Sequence, residues 1–157
     1  PALLARLEAV RAHGAVAMGL APDAAAATRD RPATPKLAFV APAARYLSSA
    51  GETVDAASID LCARILSMGR LHHAFTGTGS VALAAAAALP GTVPASVSRE
   101  VPAGTPLRIG HTSGRLEVGA VVTRTGDAWE VERAVMRRTA RRLMQGAVFV
   151  PHSVLAA

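Results

Sequence analysis

A glycine-rich turn that leads directly into an apolar segment restricts how this chain can fold more than any other feature. The turn is Thr76–Ser80, and the apolar segment Val81–Leu89 follows it and ends at Pro90. Because this segment has helical length and no polar face, it predicts a helix that is buried on every side. The run is far shorter than the roughly 20 residues that cross a bilayer, so we expect no membrane contact from it.

Hydrophobic periodicity predicts two further helices. One covers residues 2–12, with Leu3, Leu7 and Val10 on its apolar face. The other follows Asp55 and has an apolar stripe made of Ile59, Cys62, Ile65 and Leu66. For the second helix we expect Asp55 as the N-cap and Ser67–Gly69 as the end. The Ala-rich stretch 21–35 is typical of a loop, and residues 48–52 of a turn. Short β segments are predicted at 37–40, 96–101, 107–110, 115–123 and 129–136, with a hairpin turn at 125–127.

The last part of the chain carries two conflicting patterns. Residues 137–145 are Arg-rich and favour a helix, whereas Ala147–Val150 before Pro151 favours a strand. The residues alone leave both readings open.

Composition excludes several classes of protein. The chain has 157 residues, 51% of them hydrophobic, which is enough for one folded domain. A single cysteine, Cys62, excludes an internal disulfide and a multi-cysteine zinc site. The net charge of +6 favours a polyanionic partner, but the aromatic content is only 3% and the arginines are dispersed, so we expect no nucleic acid. No signal peptide is recognisable, and we expect a cytoplasmic protein.

The turn before the apolar segment is a candidate anion site. The first N–H groups of a helix have no partner within it, and the N-terminus carries partial positive charge. A carboxylate can accept several of these N–H groups. The alternative is that Thr76 or Thr78 caps the helix and the glycines merely turn the chain, because a short Gly-Thr-Gly motif is weak by itself.

Four other residues and one arginine cluster are further candidates for a chemical role. His72 or His73 could bind an anion or carry a proton, although a structural role for both is the simpler reading. We expect no metal site, because adjacent histidines chelate one ion poorly. Cys62 is typical of an inert core thiol, Lys36 of an exposed cation, and the cluster Arg137–Arg142 of a solvated face.

Several motifs together resemble one enzyme family. The segment from Ser67 to Thr92 resembles the C-terminal half of the 2-methylaconitate isomerase family, which includes 4-oxalomesaconate tautomerase and aconitate Δ-isomerase relatives. Other stretches resemble it as well: Leu7–Arg11, Met18–Leu20, Pro35–Val40, Arg108–Gly114 and Arg138–Gly146.

The resemblance implies a diaminopimelate epimerase-like α+β fold. Residues 1–157 would form one domain, with a mixed β-sheet wrapped around Val81–Leu89, and residues 131–138 and 141–149 would be strands. Substrate carboxylates would be held by Ser67, Met68 and Gly69 and by Thr76, Gly77, Thr78, Gly79 and Ser80. His72 would grip the substrate or share a proton. Thr76 replaces the epimerase's catalytic cysteine.

The resemblance also implies that this chain is half of an enzyme. The whole would be a cofactor-independent isomerase that shifts a proton and a double bond in an unsaturated di- or tricarboxylate. The absent N-terminal domain would be the partner of this half, and a homo-oligomer is a further expectation. The alternative is a non-catalytic carboxylate-binding or oligomerisation domain left by truncation.

Overall fold

The computed structural model describes residues 2–102, 104–137 and 140–155. Their helices are α1 (Ala2–Ala17), α2 (Ala24–Asp30), α3 (Gly77–Ala87), α4 (Val93–Val97) and α5 (His152–Leu155), with a 3₁₀ turn at Ala56–Ser58. The strands are β1 (Leu37–Pro42), β2 (Tyr46–Leu47), β3 (Thr53–Val54), β4 (Leu61–Ser67), β5 (Arg70–Leu71), β6 (Leu107–His111), β7 (Gly114–Thr125) and β8 (Ala128–Met136).

Six of the strands form one mixed sheet. Its order is β1-β4-β6-β7-β8, and β5 pairs with the end of β4. The central pair β4 and β6 is parallel, with Leu61 opposite Ile109, and the other pairs are antiparallel. A parallel pair needs a crossover connection, and here that connection contains β5, α3 and α4. Strands β2 and β3 form a separate two-stranded ribbon.

The main core lies between this sheet and α3. Alternate residues of β4 point toward the helix, because successive side chains of a strand point to opposite faces. This core consists of Leu61, Ala63, Ile65, Phe75, Leu83, Ala84, Leu107, Ile109 and Val118. The expected α+β class and the central helix are confirmed. The helix begins at Gly77 rather than Val81, and Ala82 is exposed, so burial on every side was wrong.

The helix expected at 59–66 is wrong, because this segment is strand β4. Residues Leu61, Ala63 and Ile65 alternate on the core face, and this two-residue period overrides the three-to-four-residue spacing of Ile59, Cys62 and Ile65. Asp55 precedes only the short 3₁₀ turn, without a side-chain cap bond.

Asp60, which precedes β4, anchors that strand to β6. Its buried carboxylate accepts hydrogen bonds from the Arg108 backbone N–H at 2.8 Å and from the Arg108 guanidinium at 2.5 Å. Asp60 therefore serves a partner in the sheet and not Arg64, which is the partner that a helical spacing would give.

Three Ala- and Pro-containing segments also differ from expectation. The loop 21–35 contains α2, capped by the Asp23 side chain, which accepts the N–H of Ala26 at 2.8 Å. Helix α1 continues to Ala17, past the predicted end at residue 12, and its buried residues are Arg11, Ala12 and Ala15. Leu3 and Val10 of its expected apolar face are exposed, because α1 packs on α2 through small side chains. Residues 93–97 form α4, so the strand at 96–101 is wrong.

The remaining strand predictions are confirmed within a few residues. They correspond to β1, β6, β7 and β8, and a turn at 126–127 joins the last two strands. Residues 49–51 turn between β2 and β3, whose short strands were not predicted.

The predicted strands at the end of the chain are only partly present. Strand β8 covers 131–136, residue 137 is irregular, and 138–139 lie outside the described residues. The strand expected at 141–149 is wrong, because residues 140–150 are irregular and exposed. The helical pattern over 137–145 is not realised in the residues described there. Nothing in the described chain packs against this segment to stabilise either structure. Among the helices of the described ranges, none has the length and apolarity to span a membrane.

We predict that Gly110→Ala destabilises the fold by about 1 to 3 kcal/mol, since overpacking of a tight contact costs this much. A Cβ at Gly110 would lie 2.7 Å from Ile59 Cδ1 and 3.1 Å from the Tyr46 ring. Chemical denaturation would measure the loss. Gly119→Ala in the neighbouring strand is the matched control, because its Cβ would lie an ordinary 3.7 Å from Val135. Equal effects of the two substitutions would contradict this close packing.

Candidate functional site

The first turn of α3 presents three backbone donors. Within the described part of the chain, no acceptor takes the N–H groups of Gly77, Thr78 and Gly79. The first turn contains no acidic residue that could occupy them. A helix N-terminus with free N–H groups and no internal carboxylate attracts an anion.

Gly79 allows this turn to approach β4 closely. A Cβ at Gly79 would lie 2.7 Å from Ile65 Cδ1 and 2.5 Å from Thr76 Oγ1. Any larger residue would therefore push the first turn away from the sheet. Gly79 therefore sets how closely the first turn of α3 approaches β4.

The hydroxyl of Thr76 does not act as a helix cap. Thr76 has the extended backbone of an N-cap residue, but its side chain makes no cap bond. Its Oγ1 is buried and has no hydrogen-bond partner among the described residues. The oxygen lies close to Gly79, on the side of the turn that packs on Ile65.

Ser80, the last residue of the predicted anion-binding turn, already has hydrogen-bond partners for its hydroxyl and its N–H group. Ser80 is fully buried, its Oγ donates to the carbonyl of Gly77 at 2.7 Å, and its N–H donates to the carbonyl of Thr76 at 2.8 Å. Gly77, Thr78 and Gly79 remain as N–H groups of this turn that have no acceptor among the described residues.

His72 lies between β5 and α3 with a fixed ring. Its Nδ1 is 2.7 Å from the carbonyl of Ala74 and 3.3 Å from the Ala74 backbone nitrogen. The shorter contact is to the carbonyl, and in the neutral tautomer that donates to it Nε2 carries the lone pair. The backbone N–H of His72 donates to the carbonyl of Ile65 at 2.9 Å. Ile65 is thus a neighbour of both, because its carbonyl accepts the His72 N–H group and its side chain lies at Gly79 in the first turn of α3. The exposed ring of His73 stacks on His72, with 4.9 Å between centroids.

Ser67, Met68 and Gly69 form the tight turn of the β4–β5 hairpin, not the end of a helix. Ser67 pairs with Arg70, and the two residues between them have positive φ angles of 54° and 72°. Two consecutive positive φ angles are the signature of a type I′ hairpin turn.

This hairpin turn is oriented toward α1. Met68 is largely exposed, and Met68 and Gly69 line a small crevice together with Leu7 and Arg11 of α1. The turn and the first turn of α3 are thus both held by β4, one at its end and one beside Ile65.

A second polar cluster, formed by Tyr46, Arg64 and His111, lies at β4 and β6. The Arg64 guanidinium stacks 4.9 Å from the centre of the Tyr46 ring and donates to the Gly110 carbonyl at 3.2 Å. The Tyr46 hydroxyl lies 2.8 Å from the His111 carbonyl and 2.5 Å from that of Gly114. These contacts fasten the β2–β3 ribbon to the sheet. These contacts were not predicted from the sequence, in which the only signal for them is the single tyrosine, Tyr46.

The remaining candidate residues are Cys62 and Lys36. Cys62 is a half-buried strand residue whose Sγ is 3.7 Å from the Ala44 carbonyl. Lys36 is exposed and donates to the Ala33 carbonyl at 3.1 Å. In the described ranges, no group of three or more His, Cys, Asp or Glu side chains is arranged to hold a metal ion.

Comparison with known proteins adds the context of these residues. The model of the PrpF protein family matches residues 1–151. The chain belongs to the PrpF family. A 2-methyl-aconitate isomerase from Shewanella oneidensis is 50% identical to this PrpF chain over 154 residues, and a 3-methylitaconate isomerase from Eubacterium barkeri is 37% identical over 154 residues. The crystal structure of a methylitaconate-delta-isomerase matches the PrpF chain with a TM-score of 0.82 and 35% identity.

These relatives are much longer than the PrpF chain. The alignments cover 96% and 98% of this chain, but only 37% of the Shewanella protein and 40% of the Eubacterium protein. The structural match covers 98% of this chain and 39% of the other. The PrpF chain therefore corresponds to somewhat more than one third of each relative.

We predict that this PrpF chain loses stability as the pH falls below about 6.5, through His111. Burial, and secondarily the charge of Arg64, hold the pKa of His111 below its ordinary value. The unfolded chain therefore binds the proton first, so the contribution of neutral His111 is present above the unfolded pKa and is lost as the pH falls from the unfolded pKa through the lower folded pKa. Denaturation at pH 7.5 and pH 5.5 would show this loss, and His111→Gln would reduce it.

The control is His73→Gln, which removes an exposed imidazole. If His111→Gln kept the full loss of stability between the two pH values, His111 would not be its source.

Proposed function

We propose that this chain is the carboxylate-holding part of a cofactor-independent isomerase that acts on an unsaturated di- or tricarboxylate. The reaction would move a proton between carbons and shift the double bond. The observation that carries the proposal is the first turn of α3, with three free N–H groups and no acidic residue. The names of the relatives, 2-methyl-aconitate isomerase and 3-methylitaconate isomerase, support this class of substrate.

The chemistry needs stabilisation of negative charge more than anything else. Removing a proton from a carbon next to a carboxylate builds dienolate charge on the carboxylate oxygens. Preorganised N–H groups that are aimed at such oxygens lower the barrier, because they strengthen as the charge develops. In this proposal Gly77, Thr78 and Gly79 hold one carboxylate, and the hairpin turn Ser67–Gly69 adds contacts to the same substrate.

His72 would be the proton-handling group of this part. The bond from Nδ1 to the Ala74 carbonyl fixes the ring and leaves Nε2 free to accept a proton. The hydroxyl of Thr76 is excluded from this role in the proposal, because it is buried and an alcohol is too weak an acid near neutral pH.

The remaining part of the enzyme would correspond to the portion of the longer relatives that lies outside the alignments. A proton shift across a double bond requires a second acid or base and a site closed to water. We propose that an N-terminal domain supplies both, and that the assembled enzyme works in the cytoplasm.

We predict that trans-aconitate shifts the backbone amide NMR signals of Gly77, Thr78 and Gly79 in a saturable manner. The physical reason is direct donation from these N–H groups to a carboxylate. Gly77→Pro removes one donor at a position where proline fits, because it is the first helical residue and Thr76 has ψ 146°. We expect about tenfold weaker binding from the loss of one charge-assisted hydrogen bond.

Gly77→Ala is the matched control, since it adds a Cβ but retains the N–H group. The trimethyl ester of aconitate, which carries no charge, should leave the three signals in place. Shifts spread over exposed arginines, with none in the first turn of α3, would contradict the proposed site.

We predict that the purified chain alone does not isomerise trans-aconitate or 2-methylaconitate at an enzymatic rate. In this proposal the second proton carrier and the cover that excludes water lie in the other part of the enzyme. The Shewanella relative serves as the positive control for the assay. Turnover by this chain that disappears in His72→Ala would show instead that the part is a self-sufficient catalyst. Binding without turnover would keep the carboxylate site and locate the missing chemistry elsewhere.

A further inference from the structure

His72 and His73 are neighbours in the chain, and their rings stack on one another. The ring centroids are 4.9 Å apart and the ring planes differ by 18°. Successive side chains of an extended strand point to opposite faces, so two adjacent residues cannot stack while the chain stays extended. Here β5 ends at Leu71, and the chain bends at residues 73 and 74. The bend therefore gives the ring of His72 a neighbour on one of its flat sides.

The Nδ1 atom of His72 lies within reach of two backbone groups of one residue. The Ala74 carbonyl oxygen is 2.7 Å away and the Ala74 nitrogen is 3.3 Å away. In one neutral tautomer Nδ1 carries the proton and donates to the carbonyl, and in the other Nδ1 accepts from the N–H group. Only the first tautomer leaves the lone pair on Nε2. Ala74 by itself can therefore serve either tautomer.

The orientation of the His72 ring decides which of these two groups Nδ1 meets. The N–H bond and the lone pair of an imidazole nitrogen both lie in the ring plane, so rotation about the bond to Cβ moves Nδ1 from one group toward the other. A ring that is stacked on His72 opposes this rotation, because the rotation would break the parallel contact. The shorter distance to the carbonyl shows that the observed plane favours the tautomer with a lone pair on Nε2.

We propose that His73 is a positioning residue for His72. Its ring holds the His72 ring in the plane at which Nδ1 donates to the Ala74 carbonyl, and Nε2 thereby keeps its lone pair. This role rests on the proposed function, in which Nε2 of His72 accepts the proton. His73 touches no substrate in this proposal and acts only through the ring of His72.

Nitrogen NMR of the full chain, with ¹⁵N in its histidines, tests this role. Protonated and unprotonated ring nitrogens have well separated chemical shifts, which give the ratio of the two tautomers of each ring. The neutral forms are observed at about pH 8.5, two units above the ordinary pKa of histidine. We expect the Nδ1–H tautomer of His72 to predominate in the wild-type chain. His73→Ala should lower its ratio to the other tautomer about two- to tenfold, the factor that corresponds to the loss of an aromatic pair.

His73→Phe is the matched variant, because it keeps a flat ring at this position and removes the ring nitrogens. It should retain the wild-type tautomer ratio of His72. His13 is the internal reference, since its Nδ1 also lies 2.7 Å from a backbone carbonyl, that of Ala9, and its tautomer ratio should be the same in every variant. An unchanged His72 ratio in His73→Ala, or a lowered ratio in His73→Phe, would overturn the positioning role.

Titration with trans-aconitate separates this role from the proposed function. In the wild-type chain, saturating ligand should shift the amide signals of Gly77, Thr78 and Gly79 and also the Nε2 signal of His72. In His73→Ala the amide shifts should remain, with an affinity within about twofold of wild type, because the N–H donors of α3 are unchanged. The response of Nε2 should shrink.

The two ways in which this experiment can fail are distinct. If the three amide signals did not respond in the wild-type chain, the proposed function itself would be contradicted. If the amide signals responded and the Nε2 response were equal in the wild-type chain and His73→Ala, only the positioning role of His73 would be overturned.

Discussion

The close approach of α3 to β4 is the constraint on which the rest of the structure depends. A glycine at position 79 lets the first turn of the helix pack closely on the Ile65 side chain of the strand. This contact seats the helix on the sheet. Gly79 therefore serves two purposes, because it allows the close core contact and also supplies one of the N–H groups that have no acceptor among the described residues.

The buried charges of the molecule are paired with groups close to them. The most buried charge of α1, Arg11, donates to the carbonyls of Ala27, Arg31 and Thr34 and forms an ion pair with Glu8. Asp60 is likewise satisfied by Arg108. Because these buried charges are compensated locally, the free donors at the start of α3 stand out as unsatisfied.

The sequence predicted the parts of this fold in which one local signal was dominant. The apolar run before Pro90 gave the central helix, and the alternating segments after residue 106 gave three strands. The prediction failed for β4, because Ile59, Cys62 and Ile65 match a helical period by coincidence. Pairing with β1 and β6 makes this segment a strand. The pattern of Thr76–Ser80 located the candidate site, but not which atoms are free. That depends on Oγ1 of Thr76 and on the bonds of Ser80, which only tertiary contacts determine.

The parallel pairing of β4 with β6 also bears on how the chain reaches this structure. Asp60 and Arg108, which join the two strands, are separated by 48 positions along the chain. By contrast, β7 and β8 meet across a two-residue turn at 126–127. Closing a long loop costs more entropy than closing a short one, and non-local pairings slow folding. We therefore expect the β7–β8 hairpin to form before the centre of the sheet closes.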